Sequence, residues 1–429
     1  MTASHSSFAA ASSRRSIVWW AIVGLAVVLY YFRFRIGAAG PEAMTSVYLM
    51  SADASAGACL MKGERLVTCA IGFPYPPLFA LLTVPFAFLP LWAKNLAWYG
   101  VLVGTTYGCF RICETLTIRA FGVARDELAW LRVFSILLTL KFVLSVFENH
   151  AYDVVVFFFI LVGLYGLWEN KTFPAVSGLA VAVALKATPL LMLLYPLFLR
   201  KWTVFALAAG LCVLLSLLPD LLFTAHYPGH GFLWTWIEDV AVGGLLGTSP
   251  EIYGPLIRDV NVLNQSLKGF VFAIVHERLG ADVAAHSRMI LYSVYLAYGL
   301  AVLAVLLLSA KVEGALLWGA SVILISMVLL SPVSSKSHFV VLLLPHMAIV
   351  AYLIKHREAW RAVVPLLCAS FALNTLTSRF FMGRELSNQM LSSGCITLGT
   401  LLLLAVVAVI VLHSRKVARP LPGEMPRSG

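Results

Sequence analysis

The sequence predicts an all-α protein: a polytopic integral membrane helical bundle of about 10–12 transmembrane or re-entrant segments. Three observations predict it. Of 429 residues, 61% are hydrophobic and 12% are charged, where soluble domains carry about 25% charged residues. Mean hydropathy is +0.90. The apolar residues stand in continuous Leu-, Ala- and Val-rich runs, unlike the ~10-residue alternating segments of a membrane barrel. A soluble globular chain and a disordered chain are both excluded. The net charge of +11 reads as topology and not as nucleic-acid binding. Its basic residues are spread over short loops and form no patch with interleaved aromatics.

Apolar runs fall near 16–32, 77–111, 128–147, 152–168, 174–199, 202–223, 288–309, 314–331, 338–354, 360–378 and 393–413. The Ser/Ala-rich start with Arg14 and Arg15 lacks a close cleavage site, so the first run is a retained helix. Residues 1–15 and 414–429 are then cytoplasmic tails around one transmembrane domain, 16–413. Basic short segments at 14–15, 111–125, 200–201, 311, 355–361 and 415–419 go to the cytoplasm by the positive-inside rule. The other side receives 148–153, 332–337, 379–392 and two large external loops, 32–76 and 224–287.

Two runs must depart from simple crossings. Run 77–111 holds Pro77, Pro85 and Pro90 and makes one net crossing through a broken helix. Run 174–199 starts and ends inside, so it is a re-entrant hairpin bent near Lys186-Ala-Thr-Pro189, with one long tilted helix as the alternative. Seven cysteines are scattered without metal spacing. Cys59 and Cys69 share the first loop and either pair or stay free. No metal and no cofactor is expected.

Ionisable residues inside spans are functional candidates, because inserting them costs a few kcal/mol. Lys141 is near the outer end of its run and can snorkel. Lys186 has no acidic neighbour in sequence and precedes a helix-breaking proline. It is either a phosphate-binding cation or the partner of a carboxylate from another helix. Polar clusters on the external side are Glu148, Asn149, His150 and Asp153; Asn264, Gln265 and Ser266; and Ser331, Ser334, Ser335, Lys336 and His338. The first loop adds Glu42, Asp53 and Glu64, and 43–62 reads as an amphipathic helix on the membrane. A carboxylate there suits a general base acting on a hydroxyl at the membrane surface.

Four motifs occur in order: PYPPLFALLTVPFAFLPLWAKNLAW (74–98), LAVAVALKATPLLML (179–193), NQSL (264–267) and LSPVSSKSHFVVLLLP (330–345). Together they resemble glycosyltransferase family 87, polyprenyl-phosphate-sugar-dependent membrane enzymes, over roughly residues 16–415. The resemblance implies a GT-C fold with the active site on the external face, a donor without nucleotide, and no metal motif. It implies a catalytic Asp in the first external loop and a donor phosphate held by Lys, His and Arg. The chain departs from the pattern at three places. The family Asp aligns near Met44, between Glu42 and Asp53. The family's Ser-Pro-x-Ser-Trp-Asp/Glu-His-His is Ser331-Pro-Val-Ser-Ser-Lys-Ser-His338. Its Gly-Gln-x-Asn turn is His150-Ala-Tyr-Asp153.

The resulting expectation is a metal-independent hexosyltransferase in the cell inner membrane, its active site facing the periplasm. It passes a mannose-like hexose from a polyprenyl-phosphate sugar donor to a lipid or glycan acceptor, with inversion. Asp53 is preferred as base over Glu42. Lys186, His338 and Lys336 hold the donor phosphate. His150, Asp153, Asn264, Gln265, Ser266 and Tyr75 bind substrate. Membrane lipids are partners and nucleic acid is not. The rivals are a transporter or lipid flippase, a polymerase or ligase of polyprenyl-linked glycans, and a diverged inactive transferase.

Overall fold

The computed structural model describes residues 27–32, 34, 55–70, 73–227, 231–243, 261, 263–278 and 286–417. Among the described residues it is all-helical, 82% helix without strands. The helices are α1 Ala56–Met61, α2 Leu66–Cys69, α3 Pro77–Ala87, α4 Leu91–Phe121, α5 Leu128–Glu148, α6 Asp153–Trp168, α7 Thr172–Leu185, α8 Leu190–Leu193, α9 Tyr195–Phe198 and α10 Trp202–Leu222. After these come α11 Phe232–Trp236, α12 Leu267–Arg278, α13 Ser287–Ser309, α14 Ala315–Leu330, α15 Leu343–Lys355, α16 Trp360–Phe371, α17 Arg379–Ser392 and α18 Cys395–Val417. Among the described residues, six helical stretches are long and apolar enough to cross a membrane, and five shorter helices are apolar.

Burial sorts these helices into layers. Every residue from Leu317 to Leu329 in α14, and from Leu343 to Leu353 in α15, is buried. These two helices are apolar all round and form the centre. By contrast, α13 exposes Met289, Tyr292, Leu296 and Leu300 along one side, and α10 exposes Val213, Leu214, Leu217 and Leu221. Apolar stripes of that length suit lipid contact. Between centre and edge, α6 and α7 lie unusually close. A Cβ on Gly178 would come 2.4 Å from the Gly163 nitrogen, and one on Gly166 would come 2.3 Å from the Ala175 nitrogen. Small residues permit that approach.

The bundle has two chemically different ends. One carries the Arg119–Glu169 and Lys355–Glu313 ion pairs. There Lys201 Nζ also donates to Asn170 Oδ1 and Leu167 O, both at 2.7 Å. That contact joins the start of α7 to the start of α10. The chain between them therefore runs inward through α7, breaks at Lys186, and returns through α8 and α9. Pro189 begins the return at the N-cap of α8, where its lack of an N–H costs nothing.

The opposite end gathers the turn before α6, the Lys186 break, the 331–338 segment and the described part of the first loop, 55–70. Run 77–111 is broken as its prolines require. Phe79 of α3 stacks on Tyr152 with centroids 4.2 Å apart, and Phe86 meets Trp98. Both ends of α3 thus stay near this end, and only α4 traverses the bundle. In the first loop Cys59 and Cys69 form a disulfide. Ser55 caps α1 by accepting from the Ala58 N–H at 3.4 Å. The loop is docked by a hydrogen bond from the His226 N–H to Gly63 O, 2.8 Å.

Candidate functional site

Lys186 is where α7 stops. Its backbone is extended (φ −152°, ψ 131°), which breaks the helical ladder and swings the side chain toward the N-terminus of α6. Tyr152 reinforces the break by donating its hydroxyl to Leu185 O at 3.2 Å. Asp153 occupies the first turn of α6, where a carboxylate is favoured by the helix dipole.

The two side chains meet. Lys186 Nζ donates to Asp153 Oδ1 at 2.5 Å and lies 2.8 Å from His338 Nε2. An ammonium can only donate, so His338 accepts at Nε2 and carries its proton on Nδ1, which faces Ser335 Oγ at 3.0 Å. Ser337 donates to the other Asp153 oxygen at 2.8 Å and shares a 3.1 Å contact with Ser335. His338 stands on a 3-10 turn, Lys336–Leu342, which brings Ser335, Ser337 and His338 to one place. The result is a five-residue polar network from three parts of the chain. Lys186 and Asp153 are 8% and 7% exposed.

A small pocket opens over this network. Lys186, His338, Asp153 and Thr188 form its polar side, and Val156, Met327, Val328 and Val341 its apolar side. The rings of Tyr152 and Tyr75 lie 5.4 and 6.0 Å from Lys186 Nζ, within the range of cation–π attraction. Lys186 uses two of its three ammonium hydrogens on Asp153 and His338. An anion in the pocket is the natural partner for the third.

The other sequence candidates sort by position. Asn264 Oδ1 accepts from the N–H groups of Ser334 and Ser266 at 3.0 and 3.1 Å, and its amide donates to Pro332 O at 2.9 Å. Gln265 donates to Ser334 O through its backbone and to Leu391 O through its side chain. Ser266 caps α12 through the Gly269 N–H, 3.2 Å. All three are buried, and these bonds brace the 331–335 segment that carries the network. Lys336 lies within electrostatic range of Lys141, whose Nζ donates to Asn374 O at 2.5 Å.

His150 is 0% exposed. Its ring stacks on Phe34 with centroids 3.7 Å apart, and Nε2 donates to Phe34 O at 3.1 Å. Its backbone sits at φ 50°, and its carbonyl accepts from Trp98 Nε1 at 3.0 Å. Burial pulls its pKa down to about 4 from 6.5. Glu64 is exposed. Glu42 and Asp53, with most of the amphipathic stretch 43–62, lie outside the described residues.

Sequence reasoning did not single out Tyr152, Thr188, Arg65 or Asp239. Tyr152 was signalled by its place beside Asp153 in the polar turn. Arg65 and Asp239 stand 174 residues apart and carried no local signal.

Against this geometry, the family model described as Glycosyltransferase family 87 matches residues 73–332. The matched stretch contains Tyr75, Asp153, Lys186 and Asn264, and ends six residues before His338. No curated protein and no solved structure matches the chain.

Proposed function

The chain belongs to glycosyltransferase family 87 and is a membrane glycosyltransferase, and from that premise we propose that its donor is a polyprenyl-phosphate hexose. The proposed reaction takes place on the periplasmic face of the cell inner membrane, on a lipid or glycan acceptor. The observation that carries this reading is the Lys186 ammonium held between Asp153 and His338 at a pocket floor. It offers one unspent N–H donor toward a ligand, and an anionic ligand gains most from it.

In the proposed mechanism a first-loop carboxylate, Asp53 in preference to Glu42, takes the proton from the acceptor hydroxyl. The hydroxyl oxygen attacks the anomeric carbon from the side opposite the phosphate. A new C–O bond forms, the bond to the phosphate oxygen breaks, and the configuration inverts. The departing polyprenyl phosphate gains charge. Lys186 and His338 stabilise that charge in a poorly solvated pocket, where such donors are worth most. Lys336 adds positive potential from the same turn. No divalent ion is needed for a leaving group that the chain's own donors can balance. Asp153 has an ammonium and a hydroxyl on its two oxygens. Its role is to aim Lys186, while Asn264, Gln265 and Ser266 hold the His338 segment in place. Tyr75 completes the substrate-facing end, while His150, packed inward on Phe34, supports the turn that carries Asp153.

The test is turnover of polyprenyl-phosphate mannose by the full-length protein in nanodiscs, read as released polyprenyl phosphate. Lys186→Ala should lower turnover at least 100-fold while thermal unfolding shows a folded protein. Turnover undiminished in folded Lys186→Ala would reject the phosphate-binding role.

A further inference from the structure

At the bundle end opposite the Lys186 pocket, the hairpin of α4 and α5 carries charge on its outer surface. Glu114 of α4 is buried, 3% exposed, and its two oxygens take different arginines. Arg111 Nη1, one turn earlier on α4, donates to Oε2, and Arg132 Nε, on α5, donates to Oε1. The two arginine side chains are 50% and 44% exposed. Helix α5 has 21 residues, which at 1.5 Å per residue is just enough for a hydrocarbon core ~30 Å thick. Arg132 is its fifth residue, about 6 Å from its start, so the arginine pair stands where headgroups meet hydrocarbon. One turn further toward the bilayer centre, Tyr107 shares a helix face with Arg111 and Ile136 shares one with Arg132. Tyr107, Ile136 and the adjacent Val133 are all exposed.

One arginine can satisfy both oxygens of a carboxylate. Here two share it, each through one nitrogen, and their other nitrogens make no hydrogen bond among the described residues. A guanidinium presents five N–H donors in a planar fork that matches a phosphate. Glu114 balances one of the two charges, and a cation left over at lipid depth is costly without a counter-ion. The loop beyond, 122–127, holds Arg125, Asp126 and Glu127, and Glu127 is turned back onto the Ala124 N–H at 3.2 Å. A soluble phosphate would gain nothing from exposed Tyr107, Val133 and Ile136. A phospholipid places its phosphate at this depth and its acyl chains along those residues, as at other basic sites between membrane helices. A zwitterionic headgroup brings its own cation, and an anionic one does not. We propose that Arg111 and Arg132, fixed by Glu114, bind the phosphate of an anionic phospholipid in the leaflet opposite the Lys186 pocket. The site stands whether or not Lys186 binds a donor.

The test is native mass spectrometry of the full-length protein in micelles holding equal phosphatidylglycerol and phosphatidylcholine with matched chains. The protein should retain phosphatidylglycerol over phosphatidylcholine by at least fivefold. The triple variant Arg111→Gln, Glu114→Gln, Arg132→Gln removes both cations without stranding the buried carboxylate, and it should lose that preference. Arg361→Gln, at an exposed arginine on α16, should keep it. A phosphatidylglycerol with a diazirine in its acyl chain should photolabel peptides covering 107–115 or 129–136 in the wild-type protein, which needs no variant to fold. Excess glycerol 3-phosphate should leave the bound lipid in place. Equal retention of the two lipids, a preference that survives in the folded triple variant, or labelling confined elsewhere would overturn the site. Displacement by glycerol 3-phosphate would overturn the lipid in favour of a soluble phosphate.

Discussion

Lys186 and Asp153 meet at 2.5 Å in a nearly buried site although 33 residues separate them in the chain. Breaking one side of a buried pair strands the other charge, at a cost of roughly 3–5 kcal/mol. Asp153→Asn should therefore lower the thermal midpoint by several degrees and abolish turnover. The double replacement Asp153→Leu with Lys186→Met should regain most of the midpoint and none of the turnover. An Asp153→Asn protein with wild-type midpoint and rate would show that the carboxylate does not hold the lysine.

The first-loop base can be separated from its neighbours by amide substitutions that keep shape and remove basicity. Asp53→Asn should slow turnover by about 10²–10⁴, the range typical of a lost general base. Glu42→Gln should change it less than tenfold. Full activity in both variants would reject a first-loop base and return attention to Asp153.

His150 gives stability a pH dependence. Its folded-state pKa is about 4 against 6.5, so between those values the unfolded chain binds a proton that the folded chain refuses. Stability is then greatest above pH 6.5, declines as pH falls toward 4, and levels off below. The slope in that window is at most about 1.4 kcal/mol per pH unit. Chemical denaturation of His150→Gln, which keeps an N–H donor for Phe34 O, should show a flatter profile between pH 6.5 and 4. An unchanged profile would assign the slope to other groups.

The Cys59–Cys69 bridge closes a short loop around Arg65. Chain-entropy arguments give such a loop roughly 2–3 kcal/mol. Replacing both cysteines with serine should speed hydrogen exchange across 55–70, while exchange in α14 stays slow. Equal exchange across 55–70 in the two proteins would show that the bridge is not what orders the loop.

The helical architecture was legible because lipid-facing and central helices both need long apolar runs, and those stand out by composition. The Lys186 break was legible from Pro189 and the polar Ala-Thr step before it. Lys186 and His338 were each visible as polar residues at odds with their surroundings. Giving both to one phosphate required them to lie within several ångströms, and they do; the Asp153 carboxylate beside them was not legible, because it depends on how α7 and the 336–342 turn pack against α6. Asp153 was read as a substrate contact, since nothing local joins it to a lysine one helical hairpin away. The inward packing of His150 against Phe34 was equally hidden. A polar residue in a short turn looks solvent-facing until its left-handed backbone turns it inward. The Arg65–Asp239 ion pair joins the first loop to the continuation of α11, elements with no sequence feature in common.

Asn170 and Lys201 clasp the two feet of the segment that carries Lys186. An element whose feet share one side adds an even number, zero, to the tally of passages through the bundle. Its excision would leave α10 and every later helix pointing as before, whereas excision of α10 alone would turn them all around. The fold's up-down parity is therefore indifferent to the piece that carries its central cation. Changes in that piece leave the pocket's direction untouched, and what constrains it is local: its close packing on α6 and the Asp153 and His338 contacts.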